Sequence, residues 1–114
     1  MKKVILILGT LCLLASCTVQ KPLYSWAKYD KASYNFLKNS DDESTQALID
    51  NFKDIIENQT GTRNVPPPGI YADYAFVLLQ IGKTDEGKEL LIKEVELYPE
   101  SKIFIDRILK MLEQ

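Results

Sequence analysis

The chain has 114 residues, 46% of them hydrophobic and 26% charged, so it is sized for one globular domain. A formal net charge of −2 argues against the clustered basic face of a general nucleic-acid binder, and no nucleic-acid partner is expected. There is no histidine, so no Ser-His-Asp or Cys-His constellation can be assembled, and the commonest metal ligand is missing.

Residues 1–17, MKKVILILGTLCLLASC, read as an export leader. Lys2 and Lys3 give the positive start, and Val4 to Ala15 form an apolar run of 12 residues. A membrane-spanning helix needs roughly 20 such residues. Ala15 and Ser16 stand where a signal peptidase requires narrow side chains. Leu14-Ala15-Ser16-Cys17 resembles the lipobox of bacterial lipoproteins, with Leu14, Ala15 and Ser16 as the peptidase recognition residues. That resemblance implies diacylglycerol on the Cys17 thiol, cleavage before it, and acylation of the new amine. A thiolate is the nucleophile such chemistry demands. A plain leader followed by an incidental Cys17 is the alternative.

Cys12 lies in the segment to be removed, which leaves Cys17 as the single cysteine and permits no internal disulfide. Cleavage leaves 98 residues with 12 basic against 16 acidic side chains, so net charge alone does not draw the domain to anionic lipid. The membrane is therefore expected as a partner through N-terminal acyl chains, at ~0.8 kcal/mol per buried CH₂. The organisation read from the chain is a leader (1–16), a lipidated tether (17–22) and a helical domain (23–114).

The tether is followed by helical periodicity and by no useful strand alternation. Helix one is expected over Leu23 to Lys38, with Trp26, Tyr29, Ser33, Phe36 and Leu37 as its apolar stripe. Ser40 and Glu43 have capping-box spacing, and helix two follows over Asp42 to Asn58, burying Leu48, Ile49, Phe52, Ile55 and Ile56. Gly61 reads as its C-terminal stop. Pro66-Pro67-Pro68 forms a rigid, extended connector. Helix three is expected over Gly69 to Ile81 with Tyr71, Tyr74, Ala75, Leu78 and Leu79 inward. Helix four, Thr84 to Leu97, is capped by Thr84 and buries Leu90, Leu91 and Val95. A last helix, capped by Ser101, runs to Leu112 and carries Phe104, Ile105, Ile108, Leu109 and Leu112. The fold class is all-α, about five helices in antiparallel pairs after a cleaved leader.

Pro68 to Pro99 resembles one tetratricopeptide repeat. Tyr71 stands at the large aromatic position, Ala75 at the small contact residue, Leu78 at the next core position, Gly82 at the turn, Leu91 at the second helix's apolar position and Pro99 at the closing proline. Ala75 must be small because two helices approach most closely there. Gly87 and Glu94 depart from the small residues usual at their places. Glycine in a helix costs ~1 kcal/mol relative to alanine, unless it permits unusually close packing. Ala27 to Phe36 echoes Gly82 to Leu91 as a second half-repeat, and repeats need neighbours to bury their faces.

With the lipobox, three further stretches complete a second resemblance: Tyr24 to Tyr29, Val65 to Tyr71, and Pro99 to Lys102. Together they resemble a family of small bacterial lipoproteins of unknown function. Its members look like partners of other envelope lipoproteins, including one similar to the curli secretion channel. The resemblance implies an accessory role in export or envelope assembly, with no catalytic residues and no cofactor. It implies lipid anchoring in the cell envelope, and Thr18 after the lipidated cysteine favours the outer membrane facing the periplasm.

Carboxylates are plentiful but lack the alternating spacing of a calcium loop, so no metal site is expected, and Asp41-Asp42-Glu43 reads as helix-start electrostatics. Aromatic residues crowd the first helix. Core packing accounts for Trp26, Tyr29 and Phe36 and leaves Tyr24 and Tyr34 partly exposed, and Tyr24, Trp26 and Tyr34 form a candidate partner surface. The expected activity is non-enzymatic: a lipid-anchored interaction module for another envelope protein. The alternative is a lipoprotein that binds a peptide or small ligand in a groove between helices.

Overall fold

The computed structural model describes residues 1–14 and 17–114, and among them six α-helices, one 3-10 turn and no strand. Helix α1 (Lys2–Leu14) covers the apolar leader. Among the described residues no helix is long and apolar enough to cross a membrane. Ala15 and Ser16 lie outside the described residues, as do the side chains of Cys12 and Leu14.

The domain is built from α2 (Tyr29–Asn39), α3 (Asp42–Glu57), α4 (Ile70–Gln80), α5 (Thr84–Leu97) and α6 (Lys102–Leu112), with the 3-10 turn Pro99–Ser101 before α6. α2 and α3 form one hairpin, α4 and α5 a second, α3 packs on α4, and α6 leans on α5. The short turns within each hairpin, 40–41 and 81–83, hold its two helices as antiparallel neighbours, while the longer segment 58–69 joins the hairpins.

Two apolar clusters hold these helices together. The first joins Ala32 of α2, Leu48, Ile49, Phe52 and Ile55 of α3, and Ile70, Tyr74, Val77 and Leu78 of α4. Phe52 is its centre, stacked on Tyr74 at 5.3 Å between ring centroids and tilted against Tyr29 at 5.9 Å. Such offset aromatic pairs contribute beyond their buried area. The second cluster joins Ala75, Leu91 and Ile105, with Leu79, Leu90, Ile108 and Leu109 around them.

Three features of the helix ends differ from the sequence reading, and two of them trace to contacts between distant segments. The first domain helix begins at Tyr29 and not at Leu23. Residues 22–25 commit their backbone to the loop after α3 instead: Thr62 N–H donates to Pro22 C=O (3.1 Å) and Arg63 N–H to Leu23 C=O (3.1 Å). Ala27, in the left-handed region at φ 47°, separates this strap from α2. Leu37, expected on the apolar stripe, is 77% exposed.

The capping box of α3 is formed by Asp41 and Ser44, not by Ser40 and Glu43. Ser44 N–H donates to Asp41 Oδ1 (2.7 Å) and Asp41 N–H to Ser44 Oγ (3.2 Å). This holds the Asp41 carboxyl below its usual range, the bonds from the Ser44 side chain and backbone leading. Ser40 ends α2 in a left-handed conformation. Thr84 and Ser101 make no side-chain cap bonds: Thr84 is already the first helical residue of α5, and Ser101 closes the 3-10 turn.

Gly61 does not terminate α3, which ends at Glu57. It is buried under the strap, where a Cβ would stand 2.5 Å from Tyr24 Cα and in the Leu23 carbonyl. Only glycine leaves room for the two chains to meet.

Candidate binding groove

The residues singled out for helix packing occupy the α4–α5 hairpin. Ala75 is fully buried, Leu78 and Leu91 nearly so, and Tyr71 is half-buried. Gly82 turns the chain at φ 83°, a conformation strained for any side chain. A Cβ on Gly87 would lie 2.9 Å from Leu79 Cγ and 3.2 Å from Ala75 C=O, so this departure from alanine permits the close approach of the two helices. Pro99 opens the 3-10 turn.

Glu94, the other departure, is 1% exposed. Its Oε1 accepts the Gly69 N–H at 2.7 Å, at the start of α4, while Oε2 is buried without a partner. Gly69 holds φ 91° and α4 has no side-chain cap of its own, so a carboxylate from α5 does that work. Tyr98 completes the hold on the proline connector by donating its hydroxyl to Pro66 C=O (2.6 Å). Burial, then the neighbouring Tyr24 hydroxyl and the Glu94 charge, push the Tyr98 phenol well above its ordinary range. Burial and Glu94 raise Tyr71 as well.

The aromatic residues expected at a partner surface are placed separately. Tyr24 is half-buried beside Tyr98. Trp26 is 46% exposed and rests against Tyr29 at 5.8 Å. Tyr34 is exposed on α2 with the Lys38 ammonium 6.0 Å from its ring. Cys17 is free and exposed.

A different surface gathers apolar side chains from α2, α4 and α6. Phe76 stands at its middle, 59% exposed. On one side is a cavity of about 200 Å³ lined by Tyr29, Phe36 and Leu37 of α2 with Phe52 and Val77. On the other side is a cavity of about 120 Å³ between α4 and α6, lined by Ala72, Leu79, Leu91, Phe104 and Ile108. Asp73 and Phe76 belong to both walls. The two cavities therefore adjoin across Asp73 and Phe76, and together they mark an apolar groove along α2, α4 and α6 that Phe76 divides.

One carboxylate lies in this apolar setting. Asp73 accepts the Tyr29 hydroxyl at 2.9 Å. Burial first, then that hydrogen bond and the charges of Asp73 and Asp30, raise the Tyr29 phenol to about 12. The groove presents large apolar faces beside the Asp73 carboxylate.

A second hollow, about 340 Å³, separates α2 from α3 and has a mixed wall: Lys28, Lys31, Asn35, Asp50, Asn51 and Asp54 stand beside Ala32 and Ala47. Asn51 Oδ1 is buried there without a partner. Among the described residues no group of three or more His, Cys, Asp or Glu is placed to hold a metal ion.

The sequence reading missed Phe76 and Asp73, and saw Glu94 only as a departure from the repeat pattern. Phe76 had a signal: it falls on the arc of its helix opposite Tyr74, Ala75 and Leu78, where a solvated helix carries polar residues.

A family model described as Domain of unknown function (DUF4810) matches residues 23–108. No curated protein and no solved structure matches the chain.

Proposed function

The chain belongs to this family of unknown function over residues 23–108, and from the leader ahead of that match and the groove within it we propose a lipid-anchored accessory protein of the bacterial cell envelope. Its role is binding, not turnover. Acyl chains on Cys17 tether it, and the groove across α2, α4 and α6 receives an apolar segment of another envelope protein that carries basic charge. The observation that carries this reading is the placement of Phe76 and Phe104, both about three-fifths exposed, on either side of an unfilled apolar hollow. Exposed aromatics beside pockets are the residues that dominate protein interfaces. The resemblance of α4 and α5 to a tetratricopeptide repeat supports the same use of the surface, as does the lipobox-like Leu14 to Cys17. An outer-membrane, periplasm-facing location follows from the same resemblance.

The test is a photo-crosslinking residue placed at Phe76 in living cells. The reading expects a discrete adduct with an envelope protein from position 76, and none from Ile92, exposed on α5. Mass spectrometry of the exported chain should find Cys17 at the N-terminus and acylated. Adducts from both positions alike, or an intact leader, refute the proposal.

The hollow between α2 and α3, with the charged and amide side chains of Lys28, Lys31, Asp50, Asn51 and Asp54 on its wall, favours a second reading, a small-ligand carrier. Native mass spectrometry that finds a retained small molecule, lost in Asn51→Leu, would support it over the first.

A further inference from the structure

The strap 22–25 does more than shorten α2. Besides the two backbone bonds to residues 62 and 63, Ser25 N–H donates to Gln59 Oε1, Gln59 Nε2 donates to Ser25 C=O at 3.0 Å, and Gly61 N–H donates to the same Gln59 Oε1 at 3.1 Å. Gly61 gives the strap its seat. The chain is thus fixed to the domain from Pro22 onward, and only Thr18 to Lys21 remain between Cys17 and that fixed point. Five residue steps span no more than about 18 Å.

The two segments joined in this way share a charge character that the domain as a whole lacks. Residues 17–28 and 58–69 contain Lys21, Lys28 and Arg63 and no aspartate or glutamate, although acidic residues outnumber basic ones in the chain. All three cations are exposed, Lys21 and Arg63 on the strap side and Lys28 in the wall of the hollow that Asp50 and Asp54 also line. With the strap-side pair, Leu23 is 56% exposed and Trp26 46%. Cations with a partly exposed indole and an aliphatic side chain are the composition of a surface that lies at a lipid–water boundary.

We infer that the strap side of the domain, carrying Lys21, Leu23, Trp26 and Arg63, lies against the headgroups of the bilayer that holds Cys17. The partner is an anionic lipid surface. This inference rests on the proposed acylation of Cys17, and it adds an orientation: the clamped strap allows the strap end to face the membrane and turns the acidic remainder of the domain away.

Trp26 is the only tryptophan of the chain and so reports on this contact directly. The full chain, produced with its leader and extracted in detergent, is reconstituted into vesicles of phosphatidylethanolamine and phosphatidylglycerol whose acyl chains are brominated near the carbonyl end. Flotation with the vesicles reads the anchor, and Trp26 quenching reads the face. The inference expects flotation together with quenching that falls at least about threefold in Lys21→Glu/Arg63→Glu, and on replacing phosphatidylglycerol with phosphatidylcholine, while flotation persists. Both substituted side chains are exposed, and helical circular dichroism confirms that the variant folds. Flotation with unquenched Trp26, or full quenching in the charge-reversed variant, overturns the orientation and leaves the anchor standing. Failure to float overturns both.

Discussion

Glu94 places a carboxylate in the least accessible part of the α4–α5 hairpin because the start of α4 has no cap of its own. Replacing it with alanine orphans the Gly69 N–H and empties a buried site. Glu94→Ala is expected to cost about 2–3 kcal/mol, the range for losing a charged hydrogen bond, read as the midpoint shift in urea unfolding. Glu94→Gln keeps an acceptor at the same place and should lose less than half as much. Tyr29 is tied to the same kind of accounting through pH. Its folded phenol is raised to about 12 against an ordinary value near 10, so the neutral form is the one the fold favours. That contribution is complete below pH 10 and disappears as pH rises through the folded value. Stability measured by urea unfolding should therefore fall between about pH 10 and 12, and fall less steeply in Tyr29→Phe. Tyr71, Tyr74 and Tyr98 are raised too, each first by burial, so the variant should keep part of the slope.

Two glycines carry the contacts between elements, and neither is there for a turn. Gly61→Ala puts a methyl group into the Leu23 carbonyl, a backbone atom that cannot give way. The strap should detach, at a cost of about 1–3 kcal/mol for overpacking, and hydrogen exchange at Thr62 and Arg63 should accelerate ahead of the helices. Gly87→Ala meets Leu79 and the Ala75 carbonyl, so the ~1 kcal/mol that alanine gains in helix propensity should be outweighed and thermal stability should drop. A gain in melting temperature there would mean that α4 and α5 can separate freely. These glycines also show what a sequence can tell. Gly87 was legible because repeat spacing placed it against Ala75. Gly61 was misread as a helix stop, since its partners, Leu23 and Tyr24, lie some forty positions away and no local pattern announces them. For the same reason helix ends governed by local chemistry, such as Thr84 and Leu97, were placed correctly, while the start of α2 was not. Periodicity saw apolar residues at helical steps from Trp26, but the strap's backbone was already bonded to residues 59–63. The groove was illegible for a related reason: Leu37 looks like a core residue until the neighbouring helices fail to cover it, and the place of Phe76 off the buried arc does not say which helices stand beside it.

At the scale of the whole molecule, the groove and the strap end are connected by Trp26 and Tyr29. Trp26 rests on Tyr29, and Tyr29 in turn fixes Asp73 in the groove wall. Under the proposed anchoring, one end of the groove opens beside the bilayer, and a partner segment would enter it close to the membrane surface. That suits a partner held in the same membrane, since two tethered proteins meet at high effective concentration and need little intrinsic affinity. The groove must then discriminate through a few side chains. Phe76 divides its two hollows and Asp73 supplies its charge, so these two should carry most of the binding energy. Phe76→Ser removes a side chain that is more exposed than buried, and should change unfolding stability by less than about 1 kcal/mol. It should nevertheless weaken capture of the partner tenfold or more, the loss of about 1.4 kcal/mol or greater that marks a central aromatic contact. Asp73→Asn retains an acceptor for Tyr29 while discharging the groove, so its effect on binding should shrink as salt is raised, whereas the effect of Phe76→Ser should not. Crosslinking from Phe104 in each background separates the two contributions. If Phe76→Ser abolishes crosslinking only by unfolding the domain, visible as a lost helical signal, the groove is part of the core and the partner docks elsewhere.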